Sequence, residues 1–305
     1  KFGQQYTLGY GDSVKAASND VMHELDGCTF TGGLTDTISV SCPLMCVLSN
    51  AEKLLPLFMM PQVKLQLSVD NIASIFTSSV TPSAFTISNF ELRYKVCDFG
   101  GQVETMLRAA SPKIMIKSQS FGVSSQTLGV ASGAQSLVFN QRYASVKSLF
   151  AINGTTTTTG NQAFDSVNLA AGNTSYSFQV GGVQYPQKAL NAGTNRGAIY
   201  NELRSAVGSV FDRTNSMSID AYEFSFDGVN AATTLTSPAK FYVATSCERL
   251  GSDSLLTGVS TENSPINYNI NLASQTSGSS QITLVVNHDA IFEIDAMSGE
   301  TRLRV

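Results

Sequence analysis

With two histidines, His23 and His288, and five cysteines, this 305-residue chain has few side chains suited to acid–base, nucleophilic or metal chemistry. His288 is followed by Asp289, a pairing that could orient an imidazole toward a serine nucleophile. The surrounding run "ITLVVNHDAIFEID" alternates apolar and polar residues, the mark of a strand with one buried face. On a regular strand His288 shares a face with Leu284, Val286 and Phe292, and Asp289 points to the other face. The two side chains then cannot form the hydrogen bond of a relay, so His288 is expected to be structural.

The other chemical readings are weaker still. Cys28, Cys42, Cys46, Cys97 and Cys247 are odd in number and scattered, which fits neither a disulfide framework nor a zinc site. Cys42 and Cys46 fall on the alternating run Ile38, Val40, Cys42, Leu44, Cys46, Leu48, so the cysteines are expected to be free, buried thiols. "GYGD" and "NAGTNRG" resemble phosphate loops, but the second lacks the Lys-Ser/Thr that contacts phosphate and Mg²⁺. It reads better as a loop leading to a helix N-cap. Acidic residues are dispersed. A glycosidase pair assembled from distant positions is the enzyme alternative, and the absence of tryptophan for sugar stacking counts against it. The expectation is a non-enzyme with no catalytic, cofactor-binding or metal residues and no cofactor.

The elements that would position any site are mostly strands. Period-2 alternation marks Val63–Val69, Phe85–Ile87 and Phe90–Val96, with a change of phase at Ser88-Asn89 that predicts a bulge or tight bend. Further strands are expected over 113–123, 135–143, 145–152, 175–183, 218–226, 239–247, Ile266–Leu272 and Ile282–Ile294. A terminal hairpin is expected around Ser298-Gly299. Helices are expected at 101–110, stopped by Pro112, and at 195–209, with Asn195 as N-cap and Gly208 near the end. "DSVKAASNDVMHEL" is a third candidate. The 153–175 stretch, with threonines at 155–159, reads as a surface loop. Asn153 and Asn173 match the glycosylation pattern, which arises readily by chance in so Asn/Thr-rich a chain.

Composition narrows the class. Charged residues are 14% of the chain, against roughly 25% in an average soluble domain, and Ser, Thr, Asn, Gln and Gly fill the gap. A net charge of −4 argues against a nucleic-acid-binding domain. No apolar run reaches the ~18 residues of a membrane span. Many short strands and few helices argue for a β-sandwich or barrel, and the eight strands from residue 111 onward are the number a jelly roll needs. About five strands upstream are too few for a second complete one. The chain begins at Lys1, so a first jelly roll lacking its N-terminal part is expected, with a mature protein heavier than 32.5 kDa.

The segments "ISVSCPLMCVLSNAEKLLPLFMMPQVKLQLSVDNIASIF" and "FTISNFELRYKVCDF", followed by "IKSQSFGV" and "YASVKSLF", resemble the double jelly-roll major capsid proteins of polinton-like viruses and virophages. The likeness covers roughly residues 36–152 and is one of pattern and order. It implies an all-β double jelly roll, two eight-stranded sandwiches with a few short helices. Residues 1–111 would belong to the incomplete first jelly roll and 112–305 to the second. It also implies a homotrimeric, pseudo-hexagonal capsomer that tiles an icosahedral shell around double-stranded DNA. Its partners would be copies of itself, penton and minor capsid proteins and, in many members, an internal membrane, without sequence-specific nucleic-acid binding. The place would be the virion, assembled inside the host cell. A carbohydrate-binding or adhesin-like β-sandwich is the competing class, and a single jelly-roll spike or minor capsid protein fits residues 112–305 alone.

Overall fold

The computed structural model describes residues 46–60, 62–68, 86, 88–128, 133–155, 166–167, 174–210, 224, 238–239, 242–249, 256–272 and 280–305. Among these residues nine strands and two α-helices carry the fold that follows, and two further strands form a separate ladder. The first sheet has the order β1 (Lys113–Thr127), β10 (Ser280–Asp295), β3 (Val146–Thr155), β8 (Val243–Ser246). The second has the order β2 (Gly133–Phe139), β9 (Ile266–Leu272), β5 (Ser175–Val180), β6 (Val183–Asn191). Every pairing is antiparallel.

The pairs are nested: β1 with β10, β2 with β9, β3 with β8, β5 with β6. A long antiparallel ribbon rolled so that its strand pairs alternate between two sheets gives this order, and that is a jelly roll. One continuous core joins the sheets. Leu137, Phe139, Tyr176, Phe178, Ile266 and Tyr268 of the second meet Leu149, Ile282, Leu284 and Val286 of the first. The period of two seen in the sequence is the burial pattern of β9, where Ile266, Tyr268, Ile270 and Leu272 are buried and Asn271 is exposed.

The helices fall where expected. α2 (Arg196–Val210) buries Ile199, Leu203, Ala206 and Val207 in the same core. α1 (Gly101–Ala110) ends at Ser111, before Pro112, and buries none of its residues. The terminal hairpin also forms. β11 (Thr301–Arg304) pairs with β10, Gly299 takes φ 70°, and the Asp295 carboxylate accepts the Met297 and Ser298 N–H groups at 2.9 and 3.0 Å. At the expected phase change, Asn89 adopts a left-handed φ of 55°, and Phe85 and Ile87 on its other side lie outside the described residues.

Several expectations need correction. β6 was not foreseen as a separate strand, because Pro186 interrupts it; it is an edge strand, where a missing N–H is tolerated. Residues 62–68 and 88–100 belong to no described ladder, and each is exposed. Alternation specifies a face, but a strand also needs a backbone partner, and no described residue supplies one here. Cys46 starts a turn closed by the Asn50 N–H to Cys46 C=O bond at 3.1 Å, so the alternating run does not continue as a strand through Leu48. The 218–226 strand, the helix in "DSVKAASNDVMHEL", "GYGD", Cys28 and Cys42 lie outside the described residues, apart from buried Phe224, whose backbone is helical. Short β4 (Ser166–Val167) and β7 (Pro238–Ala239) pair with each other, so part of the 153–175 stretch expected to be a loop is a strand.

Close backbone approach fixes one glycine. Val146 and Val259 exchange backbone hydrogen bonds at 2.8 and 2.9 Å. A Cβ on Gly258 would lie 2.0 Å from the Val146 carbonyl oxygen. Gly258→Ala is therefore expected to lower stability by about 1–3 kcal/mol or more in urea unfolding. Gly197→Ala, in the open first turn of α2 with nothing within 4 Å, is expected to be neutral or to stabilise by up to about 1 kcal/mol.

Candidate functional site

The polar residues that sequence reasoning singled out meet at the middle of β10, but as a structural knot. The β3–β10 register shifts between Asn287 and His288. Beyond that irregularity Asp289 pairs by backbone with Ser145, its N–H reaching the Ser145 carbonyl at 2.9 Å. Asp289 is only 1% exposed. Its Oδ2 accepts the Ser145 hydroxyl at 2.6 Å, the Thr257 N–H at 2.8 Å and the Thr257 hydroxyl at 3.2 Å. Ser145 Oγ in turn accepts the Gly258 N–H at 2.8 Å. Two segments distant in sequence from β10 are thus tied to its carboxylate.

The other oxygen of Asp289 faces the Lys117 ammonium at 3.9 Å, and Lys117 also lies 3.5 Å from Glu52 Oε1. Lys117 and Gln119 sit on β1 opposite Ile291 and Asp289, so their side chains share the Asp289 face of the sheet. Both are buried, as is Asn287, whose Nδ2 is 3.5 Å from Gln119 Oε1. A buried carboxylate is sustained by a nearby cation and several donors, and Asp289 has both.

His288 does not join this carboxylate. Its ring stacks on Tyr143 with centroids 3.8 Å apart and 11° between planes. Its Nδ1 lies 3.2 Å from the Asp289 backbone oxygen. The expectation that His288 and the Asp289 side chain diverge holds, and the serine relay is not assembled. Burial holds His288 below its ordinary value of 6.5, opposed by the Asp289 backbone bond and charge. The acidic residues of the terminal hairpin are likewise committed: Glu293 pairs with Lys113 at 3.3 Å and Arg304 at 2.6 Å.

The remaining candidates also resolve into structure. In "NAGTNRG" the Asn191 side-chain oxygen accepts the Gly193 and Thr194 N–H groups at 2.8 and 3.3 Å. The loop is an Asx turn that consumes its own donors. The Asn195 side chain bonds back to the Asn191 N–H at 3.3 Å, closing the turn before α2. Cys247 is a buried free thiol, pushed up to about 12 by burial, with Arg249 lowering and Glu202 raising it. Cys46 is half-buried, and Cys97 is exposed, against the expectation of burial, because it follows the uncovered row at 90–96. Among the described residues no group of three or more His, Cys, Asp or Glu is arranged to hold a metal.

One surface is conspicuous. Phe90, Leu92, Tyr94, Val96 and Phe99 are 65, 56, 72, 70 and 61% exposed, and Met106 of α1 is 70% exposed. In an extended chain, residues 90 to 96 at steps of two share one side. The row presents on the order of 500 Å² of apolar surface, near the upper end of what a monomer leaves bare. The sequence carried this signal as alternation but could not say that the face stays uncovered.

The fold and this surface define a jelly-roll protein with a buried polar knot and an uncovered apolar flank. Among solved structures, similarity is found to the PBCV-1 virus capsid, at 9% identity over 67% of this chain and 54% of that one, with a TM-score of 0.38. It is found to a structure of the Sputnik virophage, at 13% identity over 64% and 39%, with a TM-score of 0.35. It is also found to the mavirus major capsid protein, at 12% identity over 64% and 42%, with a TM-score of 0.32. The chain thus spans only about half of the first of these and less of the others. No family model and no curated protein matches it. The jelly-roll assignment rests on the strand order itself.

The knot makes two measurable demands. Ser145→Ala removes a donor to Asp289 and strands the Gly258 N–H, so it is expected to cost about 1–3 kcal/mol in chemical unfolding. For His288 the folded-state value lies below 6.5. The unfolded chain therefore binds a proton that the folded chain refuses, and stability falls as pH drops below about 6.5 until the depressed value is reached. Thermal melts from pH 7.5 to 5 are expected to show this slope reduced in His288→Gln, which also melts lower at pH 7.5 through loss of the Tyr143 stack.

Proposed function

We propose that the chain is part of a viral major capsid protein that builds homotrimeric, pseudo-hexagonal capsomers tiling an icosahedral shell around double-stranded DNA. Residues 112–305 are the second jelly roll, and residues 1–111 contribute to a first. The location is the virion, assembled inside the infected cell. The partners are neighbouring copies, penton and minor capsid proteins and an internal membrane where the particle has one. The role is structural rather than enzymatic.

The observation that carries this reading is a jelly roll with its own closed core beside a row of uncovered apolar side chains at 90–99. A protein finished as a monomer would cover such a row. One that completes its surface against other copies need not. The sequence resemblance over residues 36–152 points the same way, and the low content of charge suits side-by-side packing of identical subunits. A carbohydrate-binding β-sandwich shares the fold class, but a broad exposed apolar flank does not suit the binding of polar sugars.

Native mass spectrometry of the full-length protein is expected to return three copies, held by interfaces burying more than ~2,000 Å² per pair. A monomer persisting at micromolar concentration and binding a glycan array would overturn the capsid reading in favour of the lectin.

A further inference from the structure

At the β3–β10 irregularity three buried side-chain oxygens accept or donate no hydrogen bond within the protein: Asn287 Oδ1, Ser148 Oγ and Asp289 Oδ1. Asn287 and Ser148 are direct partners across β10 and β3. Their side chains therefore project from the same face, with Cβ atoms about 4.5–5.5 Å apart. Asp289 follows Asn287 by two residues in a stretch of β10 whose pairing with β1 stays regular. That spacing puts it on the same face, roughly 7 Å further along. The rest of each group is engaged. Asn287 Nδ2 faces Gln119 Oε1 at 3.5 Å, and Asp289 Oδ2 holds Ser145 and Thr257. Asp289 Oδ1 has the Lys117 ammonium at 3.9 Å, beyond hydrogen-bond reach. Polar atoms buried in this way are costly to leave unpaired, and three on one face call for a common partner.

We propose that an ordered water molecule is bound at this point, donating its two hydrogens to Asn287 Oδ1 and Asp289 Oδ1 and accepting the Ser148 hydroxyl. The balance of donors and acceptors selects water. Two of the three atoms can only accept, and the third is a hydroxyl able to donate. The bound molecule must offer two hydrogens and a lone pair, and three partners is the usual number for a buried water. The reach fits as well. Two hydrogen bonds of ~2.8 Å through one oxygen cover about 5.6 Å, on the scale of the spacing between residues two apart on a strand. A metal cation is disfavoured, because the Lys117 ammonium beside Asp289 Oδ1 would repel it. The water gives the Asp289 knot a second arm. A bulge leaves its extra residue without a ladder partner. Asp289 then fastens β3 on either side of that irregularity, at Ser145 directly and at Ser148 through the water. All the partners belong to one chain, so the site does not depend on the capsid reading.

The test is a structure of the full-length protein, by crystallography or electron cryomicroscopy, at a resolution that shows ordered solvent. One isolated peak is expected within about 2.6–3.2 Å of Asn287 Oδ1, Asp289 Oδ1 and Ser148 Oγ. The absence of a peak, a direct bond between the Asn287 and Ser148 side chains, or contacts near ~2.4 Å in the coordination of a cation would each overturn the proposal. Urea unfolding of Ser148→Ala, Asn287→Leu and the double variant gives a second readout. A shared water makes the losses non-additive, so the midpoint of the double variant is expected to fall by less than the two single shifts combined. Additive shifts would overturn the shared role of the water. If Asn287→Leu does not fold, Asn287→Ala takes its place, and the wild-type density decides the question in either case.

Discussion

The Asp289 carboxylate is the constraint on which the placement of β1, the approach to β3 and the approach to β9 depends. An ionised carboxylate with 1% exposure survives only where donors and a cation replace water. Ser145, Thr257 and Lys117 provide them, and each lies on a different part of the chain: the approach to β3, the approach to β9, and β1. Satisfying one charge therefore fixes the relative placement of three segments. The tight Val146–Val259 exchange and the glycine it demands at 258 sit directly beside this point. Lys117 extends the network outward to Glu52, so residues 46–60 take their position from the same buried charge.

The knot engages its polar groups with one another and with the backbone. His288, the one described histidine, is turned away from the carboxylate and stacked on Tyr143, and the Ser145 hydroxyl is spent on Asp289 and Gly258. Groups of this kind hold strand register. They make one alignment of β1, β3 and β10 better than its neighbours, where slippage would bury unpaired charge.

Much of the sandwich was legible in the sequence because burial on one face imposes a period of two. β9 shows it at residues 266–272, whereas β10 is buried on both faces from Leu284 to Ala290, and both helices announced themselves by spacing and stop signals. What alternation does not encode is a partner. Residues 88–100 carry as clear a pattern as β9, yet they lie exposed and outside any described ladder, because pairing is decided by distant chain. β6 went unread for the opposite reason: Pro186 and exposed polar positions weaken its pattern, and its place at a sheet edge tolerates both. The Asp289 knot was half legible. The divergence of His288 from Asp289 followed from strand geometry, but the partners Ser145, Thr257 and Lys117 are far apart in sequence and had no local signature.

The central claim is that this jelly roll is a building block whose exposed flank is finished by other copies. Electron microscopy of the purified full-length protein tests it most directly. The account predicts three-fold particles of pseudo-hexagonal outline that associate into curved sheets or closed shells. A field of uniform particles the size of a single chain, unchanged as concentration rises, would contradict it.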